Sequence, residues 1–178
     1  MVKLRKFSAY QRLERPYTRI SKFSKLNYVR GGFPHKKLTK FEMGDPKGKF
    51  EVILYLTSTR SMNVRQDALE AARMTSNRLL EKTLGKNYYF RIKVYPFHVL
   101  RENPLAAGAG ADRTSTGMQK SYGKAIGAAA RVYIGQTIIE LRVDKQHTAL
   151  GKEALIRASR KLPCPCKIVT QEAPLIKT

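Results

Sequence analysis

The most regular stretch of the chain begins at Phe50, where Phe50, Val52, Leu54 and Leu56 alternate with Glu51, Ile53 and Tyr55. A period of two puts the two sets on opposite sides of an extended chain, so this run predicts a strand buried on at least one face. The period then changes. Ser61 offers an N-cap and Gly85 a stop, and between them Val64, Ala68, Leu69, Ala72, Leu79 and Leu80 fall in one arc at helical spacing. Gln66, Glu70, Arg73 and Asn77 lie opposite, which predicts an amphipathic helix over about 61–84 lying on a sheet.

Alternation returns at Tyr88. Tyr88, Phe90, Ile92 and Val94 form one set and Tyr89, Arg91, Lys93 and Tyr95 the other. This predicts one long strand, bent at Pro96 and resumed to about Arg101. Its even positions, His98 among them, face the core, and its odd positions are aromatic and cationic. Residues 102–117 hold Pro104, Gly108, Gly110 and Gly117 without periodicity, a long loop for a compact domain and of the kind that usually carries function. The remaining pattern predicts a helical turn near Met118 to Tyr122 and strands over about 128–134 and 137–143 joined at Gly135-Gln136. A helix over about 148–161, ended by Pro163, and a strand near 167–170 follow. The order implies an α+β fold, with two helices packed on a mostly antiparallel or mixed sheet.

Residues 1–49 break this regularity. Pro16, Gly31-Gly32-Phe33-Pro34 and Pro46 punctuate a mixture of cations and aromatic rings, with room for one short strand near Lys40 to Met43. They read as an extended basic arm that orders along a partner. The division is then an arm, 1–49, and a single α+β domain, 50–178, with a flexible loop at about 101–115.

Charge changes the picture most. The chain of 178 residues carries 35 Lys and Arg against 13 Asp and Glu, a formal net charge of +22. Self-repulsion of that size is tolerable beside a polyanion, and nucleic acid is the usual one. A membrane surface would call for a one-sided cationic helix or a long apolar run, and the pattern contains neither. The basic N-terminus has no apolar segment of the kind that marks secretion, and two cysteines make no disulfide framework, so a reducing cytoplasm is expected. The arm holds 14 of the cations with only Glu14, Glu42 and Asp45, so it alone carries half the excess charge.

Catalysis fits poorly. Gly108-Ala109-Gly110 lacks the third glycine of a dinucleotide fingerprint, and Gly117 to Lys124 has five residues between its glycines with Ala125 where Ser or Thr is required. The carboxylates are scattered rather than convergent. Cys164-Pro165-Cys166 could offer two thiolates to zinc but has no further ligands nearby, so two small residues at a helix-to-strand turn is the better reading. No cofactor and no metal are expected. A basic RNA-processing enzyme and an architectural DNA-binding protein stand as alternatives. Interleaved Tyr and Phe, able to stack on unpaired bases, favour RNA over a uniform DNA duplex.

The run from Pro104 to Arg142 contains Gly110-Ala111-Asp112-Arg113, Thr116-Gly117-Met118, Gly123-Lys124, Ala130-Arg131-Val132 and Ile134-Gly135-Gln136. Arg65 to Arg73, with its Glu-Ala-Ala-Arg ending, Arg91 to Pro96 and Lys161-Leu162-Pro163 add to it. So do Tyr17-Thr18-Arg19, Tyr28-Val29-Arg30-Gly31 and Lys40-Phe41-Glu42-Met43-Gly44. In this order and spacing the chain resembles, over nearly its whole length, the archaeal and eukaryotic L-ten-e form of the universal large-subunit ribosomal protein L-sixteen. The resemblance implies a hammerhead-type α/β sandwich that is not an enzyme. It implies a structural role on large-subunit rRNA beside the peptidyl-transferase centre, lining the cleft for A-site tRNA. It further implies neighbouring large-subunit proteins as partners, with no membrane and no homo-oligomer.

On that basis the rRNA-binding candidates in the arm are Arg5, Lys6, Arg12, Arg15, Tyr17, Arg19, Lys22, Arg30, His35, Lys36 and Lys37, with Arg91 and Lys93 as a second basic surface. Arg101, Asp112, Arg113, Lys120, Lys124 and Arg131 are the candidates near the tRNA cleft.

Overall fold

Alternation persists past the turn that follows Ser58, and it builds a second sheet where the pattern above starts a helix. The computed structural model describes residues 5–13, 17, 29, 33–103, 108 and 123–172. The elements in order are α1 (Ser8–Gln11), β1 (Glu42–Gly44), β2 (Val52–Ser58), β3 (Met62–Arg65), α2 (Gln66–Leu84) and β4 (Tyr89–Ile92). β5 (His98–Glu102), β6 (Lys124–Val132), β7 (Thr137–Val143), α3 (Thr148–Ser159) and β8 (Cys166–Glu172) follow. The α+β class stands, and every strand pairing among the described residues is antiparallel. The strands form two sheets rather than one: a five-stranded sheet in the order β1-β4-β7-β2-β8 and a three-stranded sheet in the order β3-β6-β5.

Two local readings are corrected. Residues 62–65 are strand β3, because Met62 and Val64 are both fully buried opposite Val132 and Ala130 while Asn63 and Arg65 point the other way. Ser61 caps no helix; its hydroxyl accepts the Ile134 amide at 3.0 Å, and α2 starts at Gln66. The single strand over 88–101 is also two strands. β4 lies in the larger sheet and β5 in the smaller, and Pro96, which has no amide to give to a ladder, sits between them. The alternation that places Phe90, Ile92 and Val94 in the core ends there. Val99 is buried and His98 is half-buried beneath the arm.

The two sheets are joined at one corner. Ser58 donates its amide to Gln136 at 3.0 Å and accepts the Gly135 amide at 2.8 Å, so the β2–β3 and β6–β7 turns lie side by side. The core fills the space between sheets and helices: Val52, Leu54, Leu56, Phe90, Leu141 and Val143 from one sheet, Met62, Val64, Ala130 and Val132 from the other. Leu69, Ala72 and Leu80 of α2 and Ala154, Leu155 and Ala158 of α3 close it. The fit is tight at Gly151, where an added Cβ would lie 2.7 Å from Leu54 Cδ1. Upstream of Phe50, Leu38 is 1% exposed, and Phe41 and Met43 pack on the core. Gly44, at φ 83°, closes β1 against Tyr88, whose carbonyl oxygen would lie 1.9 Å from a Cβ there.

Candidate nucleic-acid interface

The outer face of the three-stranded sheet carries described residues 5–13 and Tyr17 of the segment expected to form the arm, whereas Leu38 and β1 belong to the core and the five-stranded sheet. Cross-strand partners share a face, so Asn63 opposite Arg131 and Arg65 opposite His98 through Ala129 make a polar strip along β3, β6 and β5. The arm is fastened to that strip by directed bonds. Asn63 Nδ2 donates to the Arg12 carbonyl at 3.0 Å, and the Tyr17 amide donates to His98 Nδ1 at 2.9 Å. The Val99 amide donates to the Tyr17 carbonyl at 3.2 Å, and the Arg101 guanidinium stacks 3.7 Å above the Tyr17 ring. Arg5 Nε lies 3.7 Å from Glu102 Oε1. Residues assigned by sequence to two separate surfaces, the arm and the base of the 101–115 loop, therefore touch.

Further along, Lys36 Nζ donates to the Pro96 carbonyl and sits 4.8 Å above the Tyr95 ring, and burial pushes its pKa down. Lys37 pairs with Asp67 at 2.7 Å. His35 is exposed, and its carbonyl accepts from Gln66 Nε2 at 3.2 Å. Among the described residues Lys6, Arg12, Lys124 and Lys161 have no ion pair, so their charge is available to phosphate.

The outer face of the five-stranded sheet is arranged differently. One row across it reads Glu42, Arg91, Glu140, Tyr55 and Val169 in register. Glu140 is 3% exposed and is clamped by Lys93 at 2.9 Å and Arg142 at 2.7 Å. Burial raises the Glu140 pKa, but hydrogen bonds from Lys93 and Arg142, aided by their charges, outweigh it and hold the carboxyl below its ordinary value. Arg91 reaches Glu42 at 3.3 Å. Cations here spend much of their charge on neighbouring carboxylates or on rings, Lys93 over Tyr55 and Arg142 over Tyr89.

Of the residues singled out by sequence, Arg101 and Lys124 both lie at one end of the three-stranded sheet, where β5 and β6 flank residues 104–122, but Arg101 is in register with Ala125 and Lys124 with Glu102. Arg131 is apart from them, seven residues along β6 and about 23 Å away at strand rise. Arg15, Arg19, Lys22, Arg30, Asp112, Arg113 and Lys120, and the helical turn at 118–122, lie outside the described residues. Three residues were not among the site candidates taken from the sequence. Arg142 was legible as the polar set Glu140 and Arg142 within an apolar alternation on β7. Asn63 was hidden by the helix reading of 61–65, and Lys161 by the emphasis on the arm. Cys164 lies in the turn before β8 and Cys166 opens that strand, their Sγ atoms 3.6 Å apart, and the hydrogen bond from Cys166 lowers the Cys164 thiol to about 7 against its burial.

The sequence family described as ribosomal protein L16p/L10e matches residues 15–169. Large ribosomal subunit protein uL16 of Hyperthermus butylicus is 47% identical over 154 residues, 86% of this chain and 82% of the relative. The uL16 protein of Picrophilus torridus is 44% identical across 91% of this chain and 93% of its own. That of Methanococcus maripaludis is 43% identical across 98% of both.

Proposed function

The chain belongs to the L16p/L10e family of ribosomal proteins, structural components of the large ribosomal subunit rather than enzymes, and on that premise we propose that it is held on large-subunit rRNA chiefly by the face where the arm crosses the three-stranded sheet. The observation that carries this reading is the fastening of the arm to β5, through Tyr17 on Arg101 and His98 and through Arg5 beside Glu102. A basic segment threaded between RNA helices needs one fixed end, and this is it. Cations free of carboxylates then neutralise phosphates and release counterions, which makes binding tight and steeply salt-dependent. Arg91, Lys93 and Arg142 form a second, weaker surface, because Glu42 and Glu140 already offset part of their charge.

The finer placement follows from the resemblance. The protein sits beside the peptidyl-transferase centre among neighbouring large-subunit proteins, with residues about 101–115 facing the A-site tRNA. Lys124 at the mouth of that loop supports the reading, since it gives a phosphate-bearing ligand a cation at the loop's base. Two arms test the account. The chain should co-sediment with large subunits through a high-salt wash. Arg113→Ala with Lys124→Ala should then impair A-site tRNA accommodation more than subunit assembly. Assembly failing first would move that surface from tRNA to rRNA.

A further inference from the structure

Where α1 lies against β3 and the chain leaving α3, a cleft of about 500 Å³ opens at the protein surface. Its lining includes Phe7 and Tyr10, the cations Arg5 and Lys161, and Arg65, which pairs with Asp67 of the same lining at 2.6 Å. Asn63 lines the same cleft and is 6% exposed. Its Nδ2 is committed to the Arg12 carbonyl at 3.0 Å, which fixes the amide's orientation and leaves Oδ1 buried without a donor. Its cross-strand partner Arg131 has a buried Nε that likewise lacks a partner. A buried acceptor without a donor costs stability, so one beside a cleft points to a visiting N–H that reaches it with a small shift of the Asn63 side chain.

The volume suits a small organic group and exceeds what a single water needs. Aromatic walls suit a flat ring, and the cations suit a phosphate attached to it. We propose that the cleft takes one unstacked nucleotide of RNA, its base against Phe7 and Tyr10 with an N–H turned to Asn63 Oδ1, and its phosphates at Lys161 and Arg5. This rests on the rRNA-binding reading and adds a specific contact to it. Because each base carries an N–H on its pairing edge, the site selects an unpaired base by shape and stacking rather than by identity.

The test uses the full chain bound to deproteinised large-subunit rRNA and irradiated with short-wave ultraviolet light. A nucleotide adduct on Phe7 or Tyr10 is expected. Phe7→Ala with Tyr10→Ala should lower affinity by about 5- to 100-fold, the size of one lost base stack, with an unchanged salt slope. Tyr10→Phe alone should keep wild-type affinity. α1 buries no residue, so the double variant keeps its fold, and a thermal melt checks this. Steep, salt-dependent binding by the double variant at wild-type affinity, with no adduct at either ring in the wild type, overturns the cleft and leaves rRNA binding standing. A crosslink from Tyr10 to a neighbouring protein in whole subunits also overturns it. Absence of rRNA binding by the wild type removes both readings.

Discussion

On the outer face of the five-stranded sheet, Lys93 and Arg142 close on Glu140 and Arg91 closes on Glu42; on the arm-bearing face Arg5 and Lys37 also meet carboxylates, but Lys6, Arg12 and Lys124 have no such partner among the described residues and Asn63 keeps an unpaired acceptor. The two faces belong to the same +22 chain. Net charge alone would rank them equal. What separates them is where the thirteen carboxylates went, because a carboxylate beside a cation lowers the gain that cation makes on meeting phosphate. A matched cation contributes to the fold, and an unmatched one waits for a partner.

The sharpest way to split the two is to remove residues 1–32, which carry nine of the Lys and Arg yet leave Leu38 in the core. Affinity for large-subunit rRNA should fall on the order of 10³-fold at moderate salt and the salt slope should flatten by several units, while the melting temperature changes little. Filter binding across a salt series reads it. An unchanged slope would end the arm's role.

The opposite result should come from Leu54→Ala. Leu54 is fully buried under α3, so truncation should cost about 2–5 kcal/mol in denaturant unfolding. The rRNA salt slope of the molecules still folded should not move. Glu140→Gln tests the matched face at a smaller scale, about 1–2 kcal/mol at neutral pH. Its folded pKa lies below its unfolded one, so the carboxylate's contribution is whole above the unfolded value of about 4.3 and is lost as pH falls through the folded value. The gap between wild type and variant should therefore close in acid, and a gap that widens in acid would contradict the assigned direction. Smallest of all is Glu42→Gln. Its pair with Arg91 is half-exposed on both sides, so stability should shift by no more than about 0.5 kcal/mol, with rRNA affinity slightly raised by the lost negative charge.

Legibility in the sequence tracked how local each signal was. The alternation of β2, β4 and β7 and the arc of α2 and α3 were readable, since a period of two or 3.6 needs only neighbouring residues. The second sheet was not. Met62-Asn63-Val64-Arg65 is too short to declare its period, and Ser61 and Gly85 framed it as the head of a helix. Only the pairing with β6, more than sixty residues away, makes it a strand. The cations of the arm were legible as composition, whereas their pairing was not. Lys37 with Asp67, Arg5 with Glu102 and Lys93 with Glu140 join residues distant in the chain.

The most direct measurement is lysine acylation of the full chain, free and bound to large-subunit rRNA, read residue by residue in a mass spectrometer. Lys6, Lys124 and Lys161 should become protected, Lys93 and Lys167 on the five-stranded sheet less so, while Lys152 on α3 keeps its free reactivity. Protection of Lys152, with Lys6 and Lys124 still reactive in the complex, would place the RNA on the other side of the molecule and contradict the account.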